Sequence, residues 1–362
     1  MSSFTAFICQ LISINTIIIV FVIAVIVVQY FRSKALRGIP AIWLFAFMFV
    51  TLNAIMPIDL TKWYLDRTVY ALNYLRQQTS EFDIFSQSDP VFALLNRVMF
   101  DLKLSANAFL GIIAAGYIGA YFATCKILAG HKNDGVIVLF AMVISSFFFE
   151  SYATNTIRAG LAMSLAILAI AKYYEQQIWA AAIIAVLAIG IHLSVALTII
   201  AFIAAILIRK PKVCFCIWAI AIVASFDAGS YFKEFFASIV SDDRADLYLL
   251  ASDKEAALKY NIGFRWDFIT FSLYPILLGY YYIYRRKFKD KFYNILFCTY
   301  LIANAVWILV ITAPFSDRFA YLSWALMPFL IAYPLIKGSL FTNNNLKIDL
   351  ALLVNLAMLA VL

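Results

Sequence analysis

Long uncharged apolar runs follow one another through most of this chain, and they limit what it can fold into before any single residue is weighed. A run of ~20 apolar residues is what an α-helix needs to cross the ~30 Å hydrocarbon core of a bilayer. The strands of an outer-membrane barrel would alternate polar and apolar positions, and these runs do not. At 65% hydrophobic and 13% charged over 362 residues, the chain has more apolar surface than a soluble core can hide. The sequence therefore predicts an all-α polytopic integral membrane protein, a single transmembrane domain over residues 1–362.

The expected spans, about twelve, are 5–31, 39–57, 106–128, 135–150, 157–173, 177–190, 193–208, 212–227, 266–284, 293–312, 319–336 and 347–362. The first is too long for the core of a cleaved signal and is read as a retained helix. Net charge is +8, which in a soluble protein would raise nucleic-acid binding. Here the basic residues gather in short loops: Arg32-Ser33-Lys34-Ala35-Leu36-Arg37, Arg209-Lys210-Pro211-Lys212 and Arg285-Arg286-Lys287-Phe288-Lys289-Asp290-Lys291. Loops of this kind mark the cytoplasmic side, so no nucleic-acid partner is expected.

Those loops make 177–208 the decisive stretch. As one helix it would be ~45 Å long, more than a crossing needs, and it would place two of the basic loops on opposite sides. A break near Gly190-Ile191-His192 with a return crossing keeps all three inside. The N-terminus then faces out, and so do two longer extracytoplasmic loops, 58–105 and 228–265. Residues 91–104 of the first carry apolar groups on one side, as an amphipathic helix on a membrane surface would. The mixed charges of the second suit a solvated cap or a plain connection.

Arg158 and His192 stand inside apolar, alanine-rich surroundings, where an ionisable residue needs a partner, a wet cavity or a task. The same topology puts Glu150, Arg158, His192, Arg265, Asp267, Asp317 and Arg318 at outer ends of spans. Arginine offers a planar fork of donors that fits a phosphate or diphosphate. Histidine has an unperturbed pKa near neutrality and suits proton transfer to or from a hydroxyl. Each of these residues also has a structural reading. Glu150 and Arg158 can neutralise one another, Asp317 suits a helix start, and His192 can cap helix carbonyls.

The cysteines, Cys9, Cys125, Cys214, Cys216 and Cys298, show no metal-ligand spacing with the only two histidines, His131 and His192. No metal site, disulfide framework or cofactor is expected, and Cys214-Phe215-Cys216 reads as a pair of small core residues. A P-loop, a glycine-rich nucleotide fingerprint and a Ser-His-Asp pattern are all missing, which argues against a nucleotide-driven pump or a cytosolic sugar-nucleotide transferase.

Several short motifs in order carry a resemblance: Asp59 with Tyr64, Asp89-Pro90-Val91-Phe92, Asn155-Thr156-Ile157-Arg158-Ala159-Gly160, His192-Leu193-Ser194, Gly263-Phe264-Arg265-Trp266-Asp267-Phe268 and Asp317-Arg318-Phe319. Together they resemble the EpsG family of Wzy-like bacterial polysaccharide polymerases. The chain departs from the family pattern at Asn53-Ala54-Ile55-Met56-Pro57 and at Asp317. The resemblance implies a metal-independent, GT-C-like glycosyltransferase at the outer face of the bacterial cytoplasmic membrane. It would join undecaprenyl-diphosphate-linked repeat units into O-antigen, capsule or exopolysaccharide, beside membrane lipids, a chain-length regulator and a flippase of the same pathway. Arg158 and Arg318, with Arg265, would hold the donor diphosphate. Asp267, Asp317, Glu150 and Asn155 would complete the binding site. His192 would orient or deprotonate the acceptor hydroxyl, or help bind the diphosphate. Two rival readings are a ligase-type transferase and a lipid-linked oligosaccharide flippase; the flippase predicts inverted repeats and a polar path to both faces.

Overall fold

Ser105 accepts the amide of Ala108 at 3.2 Å and so opens a 23-residue helix that closes only at Gly130, whose φ of +65° suits the left-handed turn after a helix. Helices of this kind make up the protein. The computed structural model describes residues 13–31, 39–58, 65–76, 87–130, 133–227, 231, 264–313, 316–338 and 340–361, and among them regular structure is entirely helical. In chain order the helices are α1 (Ile14–Phe31), α2 (Ile39–Ile55), α3 (Leu65–Arg76), α4 (Pro90–Asp101), α5 (Ala106–Leu128), α6 (Asn133–Ile144), α7 (Phe148–Thr154) and α8 (Ile157–Tyr174). They continue as α9 (Ile178–Ile191), α10 (Ala196–Ile208), α11 (Pro211–Asp227), α12 (Trp266–Tyr280), α13 (Lys291–Leu309), α14 (Ser316–Trp324), α15 (Met327–Lys337) and α16 (Asn344–Val361).

Bulky apolar side chains such as Val20, Phe47, Val186, Leu207 and Val223 stand exposed along these helices. Each would favour burial by about 1.5–3 kcal/mol over contact with water, so lipid is the solvent of these faces. Each of the twelve expected apolar runs contains helix, but the helices differ in reach. Among the described residues four are long and apolar enough to cross a membrane alone, at 106–128, 157–174, 291–309 and 316–337. The expected span 135–150 is instead broken, α6 and α7 meeting at 78°, and the pair would count as a fifth. The polar groups at that bend are met from inside the protein. Ser145 and Ser146 hydroxyls donate to the Met142 carbonyl at 3.2 and 3.0 Å, and the Tyr117 hydroxyl donates to the Phe149 carbonyl at 3.1 Å. Shorter apolar helices include 178–191 and 193–208, the two halves of the stretch expected to break.

By internal packing the chain gathers into two compact units, Met1–Val195 with Leu335–Leu362, and Ala196–Pro334. In the first, α8 packs between α5 and α9, α2 lies on α5, and α1 and α16 lie against α6. The expected amphipathic helix is α4, and its buried face (Phe92, Ala93, Met99) is turned to protein, with α4 packed on α9. Leu94, Val98 and Leu102 remain exposed on its other side.

In the second unit α10, α11 and α14 pack on α13 around a buried polar knot. Asn304 accepts the Trp218 indole at 2.8 Å and donates to the hydroxyls of Ser272 and Ser323 at 3.1 and 2.9 Å. Cys214 is buried, but Cys216 faces outward, because two positions along a helix turn the side chain by ~200°. The basic cluster 32–37, the residues Asp59, Tyr64 and His131, and most of the expected loop 228–265 lie outside the described residues.

Candidate functional site

Helix α9 ends at Ile191, and His192 is extended (φ −157°, ψ 114°) before a short 3-10 turn over Leu193–Val195. The chain therefore leaves its helix at the residue that the charge pattern singles out. Arg158 lies in the first turn of α8, which runs antiparallel to α9 in sequence sense, so both residues sit at one end of the first unit. The opposite end of α8 is ~24 Å away at 1.5 Å per residue. There the Lys337 ammonium lies 5.6 Å from the ring centre of Tyr174.

Asp89 joins the two. It occupies the N-cap position of α4, ahead of Pro90 in the first helical turn, yet its side chain makes no capping bond to its own helix. The carboxylate points away instead. Oδ2 lies 2.5 Å from Arg158 Nη1 and 3.7 Å from His192 Nδ1, and Oδ1 accepts the Leu193 amide at 3.1 Å. The side chains of Asp89 and Arg158 are 7% and 12% exposed, whereas His192 is 26% exposed and gives the trio its access to the outside. Burial pushes the Asp89 carboxyl upward. The neighbouring His192, the Arg158 charge and the Leu193 amide together outweigh it and hold the group below its ordinary value.

Two aromatic rings flank the guanidinium, Tyr70 from α3 and Phe92 from α4, with Arg158 Cζ 5.8 and 5.9 Å from their centres. Helix α3 is fixed in turn. The Asp66 amide donates to Asn155 Oδ1 at 3.1 Å, Arg67 donates to the Asn53 carbonyl, and the Tyr74 hydroxyl reaches the Leu104 carbonyl at 2.8 Å. Asn155, expected among the substrate-binding residues, thus holds the start of α3 in place. Glu150 is half-buried in the first turn of α7. Arg158 forms its ion pair with Asp89. Buried Arg158 Nε has no hydrogen-bond partner among the described residues.

Two glycines allow this closeness. A Cβ on Gly160 would fall 2.2 Å from the Tyr152 carbonyl oxygen, and one on Gly190 would fall 2.4 Å from Val91 Cγ2. The first lets α8 press on α7; the second lets α4 seat on the end of α9.

The remaining expected residues belong to the second unit. Arg265 precedes α12 and grips Asp267 through Nε and Nη2 at 2.9 and 2.5 Å, with Cζ 3.6 Å from the Phe268 ring centre. Asp317, in the first turn of α14, is within electrostatic reach of Arg318 and Arg265. That unit accordingly has its own Arg/Asp cluster, in which Arg265 is already matched by a carboxylate. Among the described residues no three His, Cys, Asp or Glu side chains group as metal ligands would.

Sequence reasoning brought out Arg158 and His192 but gave Asp89, Tyr70 and Phe92 no part in the site. The Asp-Pro start of α4 was the available signal. It marks a helix N-terminus, and nothing local tells that the carboxylate is used 104 positions further on, at Leu193.

The sequence model of the EpsG family matches residues 42–362. No curated protein and no solved structure matches the chain.

Proposed function

The chain belongs to the EpsG family, a family associated with Wzy-like polysaccharide polymerases, and from that we propose that it polymerises lipid-linked glycan repeat units. The substrates are undecaprenyl-diphosphate-linked oligosaccharides presented at the outer face of the cytoplasmic membrane. The observation that carries this reading is the meeting of Arg158 and His192, from two helix ends, on the one carboxylate of Asp89.

Polymerisation moves the growing glycan from its lipid diphosphate onto a sugar hydroxyl of the next lipid-linked unit. The sugar–diphosphate bond stores the energy, so the reaction needs no nucleotide. Arg158 holds the departing diphosphate, and directed donors of this sort contribute a few kcal/mol at a transition state. The more exposed His192 meets either the acceptor hydroxyl or the diphosphate. Arg318 and Arg265 are proposed as phosphate contacts of the second unit, to be tested separately by alanine substitution.

Arg158→Ala in the native host decides the matter. The expected result is loss of long polymer while single repeat units still reach their final acceptor. Unchanged chain lengths at normal protein levels would overturn the assignment of Arg158.

A further inference from the structure

The function proposed above leaves the task of His192 open between acceptor activation and diphosphate binding, and the geometry around Asp89 separates the two. A neutral imidazole carries its proton on one nitrogen, and the partner of that nitrogen decides which. His192 Nδ1 is the atom turned to Asp89 Oδ2, at 3.7 Å, slightly beyond hydrogen-bonding length, as such pairs often are before a ligand tightens them. A carboxylate held below its ordinary range accepts and does not donate. The proton of neutral His192 therefore belongs on Nδ1, and Nε2 carries the lone pair. A nitrogen with a lone pair repels a diphosphate oxygen and attracts a hydroxyl proton.

The same carboxylate also orients the arginine. It takes Nη1, the terminal nitrogen on the Cδ side of the guanidinium. The opposite edge keeps Nε–H beside Nη2, and Nε is the buried donor without a hydrogen-bond partner among the described residues. That edge presents two parallel donors, the arrangement that matches two phosphate oxygens.

We propose that Asp89 is the positioning residue of the site: it fixes His192 as the base for the acceptor hydroxyl and turns the Nε/Nη2 edge of Arg158 toward the leaving diphosphate. The acceptor oxygen forms its bond to the anomeric carbon of the donor. The bond from that carbon to the diphosphate oxygen breaks, and its electron pair leaves with the lipid diphosphate held by Arg158. The hydroxyl proton passes to His192 Nε2, giving an imidazolium whose Nδ1–H faces Asp89. Loss of one proton to water resets the site.

The inference rests on the polymerase reading, but its deciding measurement does not need polymer. The chain has only two histidines, so the His131→Gln variant leaves one imidazole. Nitrogen-15 spectra of that full-length protein, labelled at histidine and held in lipid nanodiscs at pH 8, report which nitrogen bears the proton. The expected spectrum is that of the Nδ1–H form. Adding Asp89→Asn should convert it to the Nε2–H form, because the amide can donate to Nδ1. In turnover with a lipid-linked repeat unit, Asp89→Asn should lower kcat about 100-fold with KM changed less than about threefold. An Nε2–H spectrum in the Asp89 protein overturns the proposal even if Asp89→Asn fails to fold. So does a spectrum that Asp89→Asn leaves unchanged. Polymer of normal length in a host that lacks the protein, with the expected tautomer present, would overturn the polymerase reading and leave the Asp89–His192 geometry standing.

Discussion

Removing Arg158 should cost more stability than removing an ordinary surface arginine, and the excess should vanish when Asp89 is removed with it. Both side chains are close to nine-tenths buried or more, so Arg158→Ala strands a carboxylate that water reaches poorly. Breaking one partner of such a pair costs about 3–5 kcal/mol. The stranded acid can escape by taking a proton. At pH 7 that costs about 4 kcal/mol, roughly three pH units above the usual aspartate value at ~1.36 kcal/mol each, which caps the penalty. The Leu193 amide still satisfies Oδ1, so the expected loss is about 3–4 kcal/mol. Asp89→Ala with Arg158→Ala should recover about 2 kcal/mol or more relative to the sum of the single changes. The assay is reversible unfolding of the purified protein in mixed micelles, run as a double-mutant cycle. The pH dependence has a definite sign. The Asp89 carboxyl is held below its ordinary value, so the stability it contributes is complete above that value and is lost only as pH falls through the depressed one. The intact protein should therefore show no loss from this group between pH 6 and 8, while the Arg158→Ala deficit shrinks as pH drops toward about 4, where the stranded acid protonates freely. Additivity within about 0.5 kcal/mol would refute the pairing and the argument built on it.

Gly190→Ala should push α4 off the end of α9, since the new Cβ would meet Val91 Cγ2 at 2.4 Å. It should lower polymer length in cells, with Val91→Ala restoring it; a double variant no better than the single would place the defect elsewhere. Reporter fusions after Gly190 and after Lys212 should read outside and inside respectively. Both on one side would remove the return crossing and with it the outward orientation of His192.

Much of the helical layout was readable because lipid solvation leaves a blunt signal: a crossing helix bonds its own backbone and carries apolar side chains over a length of ~20 residues. The span 106–128 was expected with the bounds it has, and the chain does leave its helix at His192. The same signal hid the bend between α6 and α7. Ser145 and Ser146 are small enough to pass inside an apolar run, and the partners that make the bend affordable, Tyr117 and Asn355, come from distant helices. Charge was legible in kind but not in pairing. Arg158 was recognised as costly, with Glu150 the nearest carboxylate in sequence. The acid that meets it is Asp89, which a helix start delivers from the first loop. Local patterns reach three or four positions along a helix, and a partner 69 positions away by number (158 − 89) has no such signature.

The resting site is nearly neutral, Asp89 offsetting Arg158, so affinity for an anion has to come from direction rather than net charge. The helix ends supply it. Helix α4 starts beside Asp89 and the 18-residue α8 starts beside Arg158, so two N-termini, each equivalent to roughly half a positive charge, meet at one place. The C-terminal end of α9 arrives with the opposite sign, and the residue that the chain puts there is His192. That polarity suits an imidazole that gains a proton during the reaction, and the paired N-termini suit a diphosphate that gains negative charge in the same step. Arg158 and His192 are thus placed where the backbone already favours the charge that each has to meet. Exchanging the two residues, Arg158→His with His192→Arg, keeps the side chains and net composition but parts the arginine from the paired N-termini and sets the imidazolium against them. It should therefore abolish polymer as completely as Arg158→Ala; retained long chains would show that the helix ends have no part in the site.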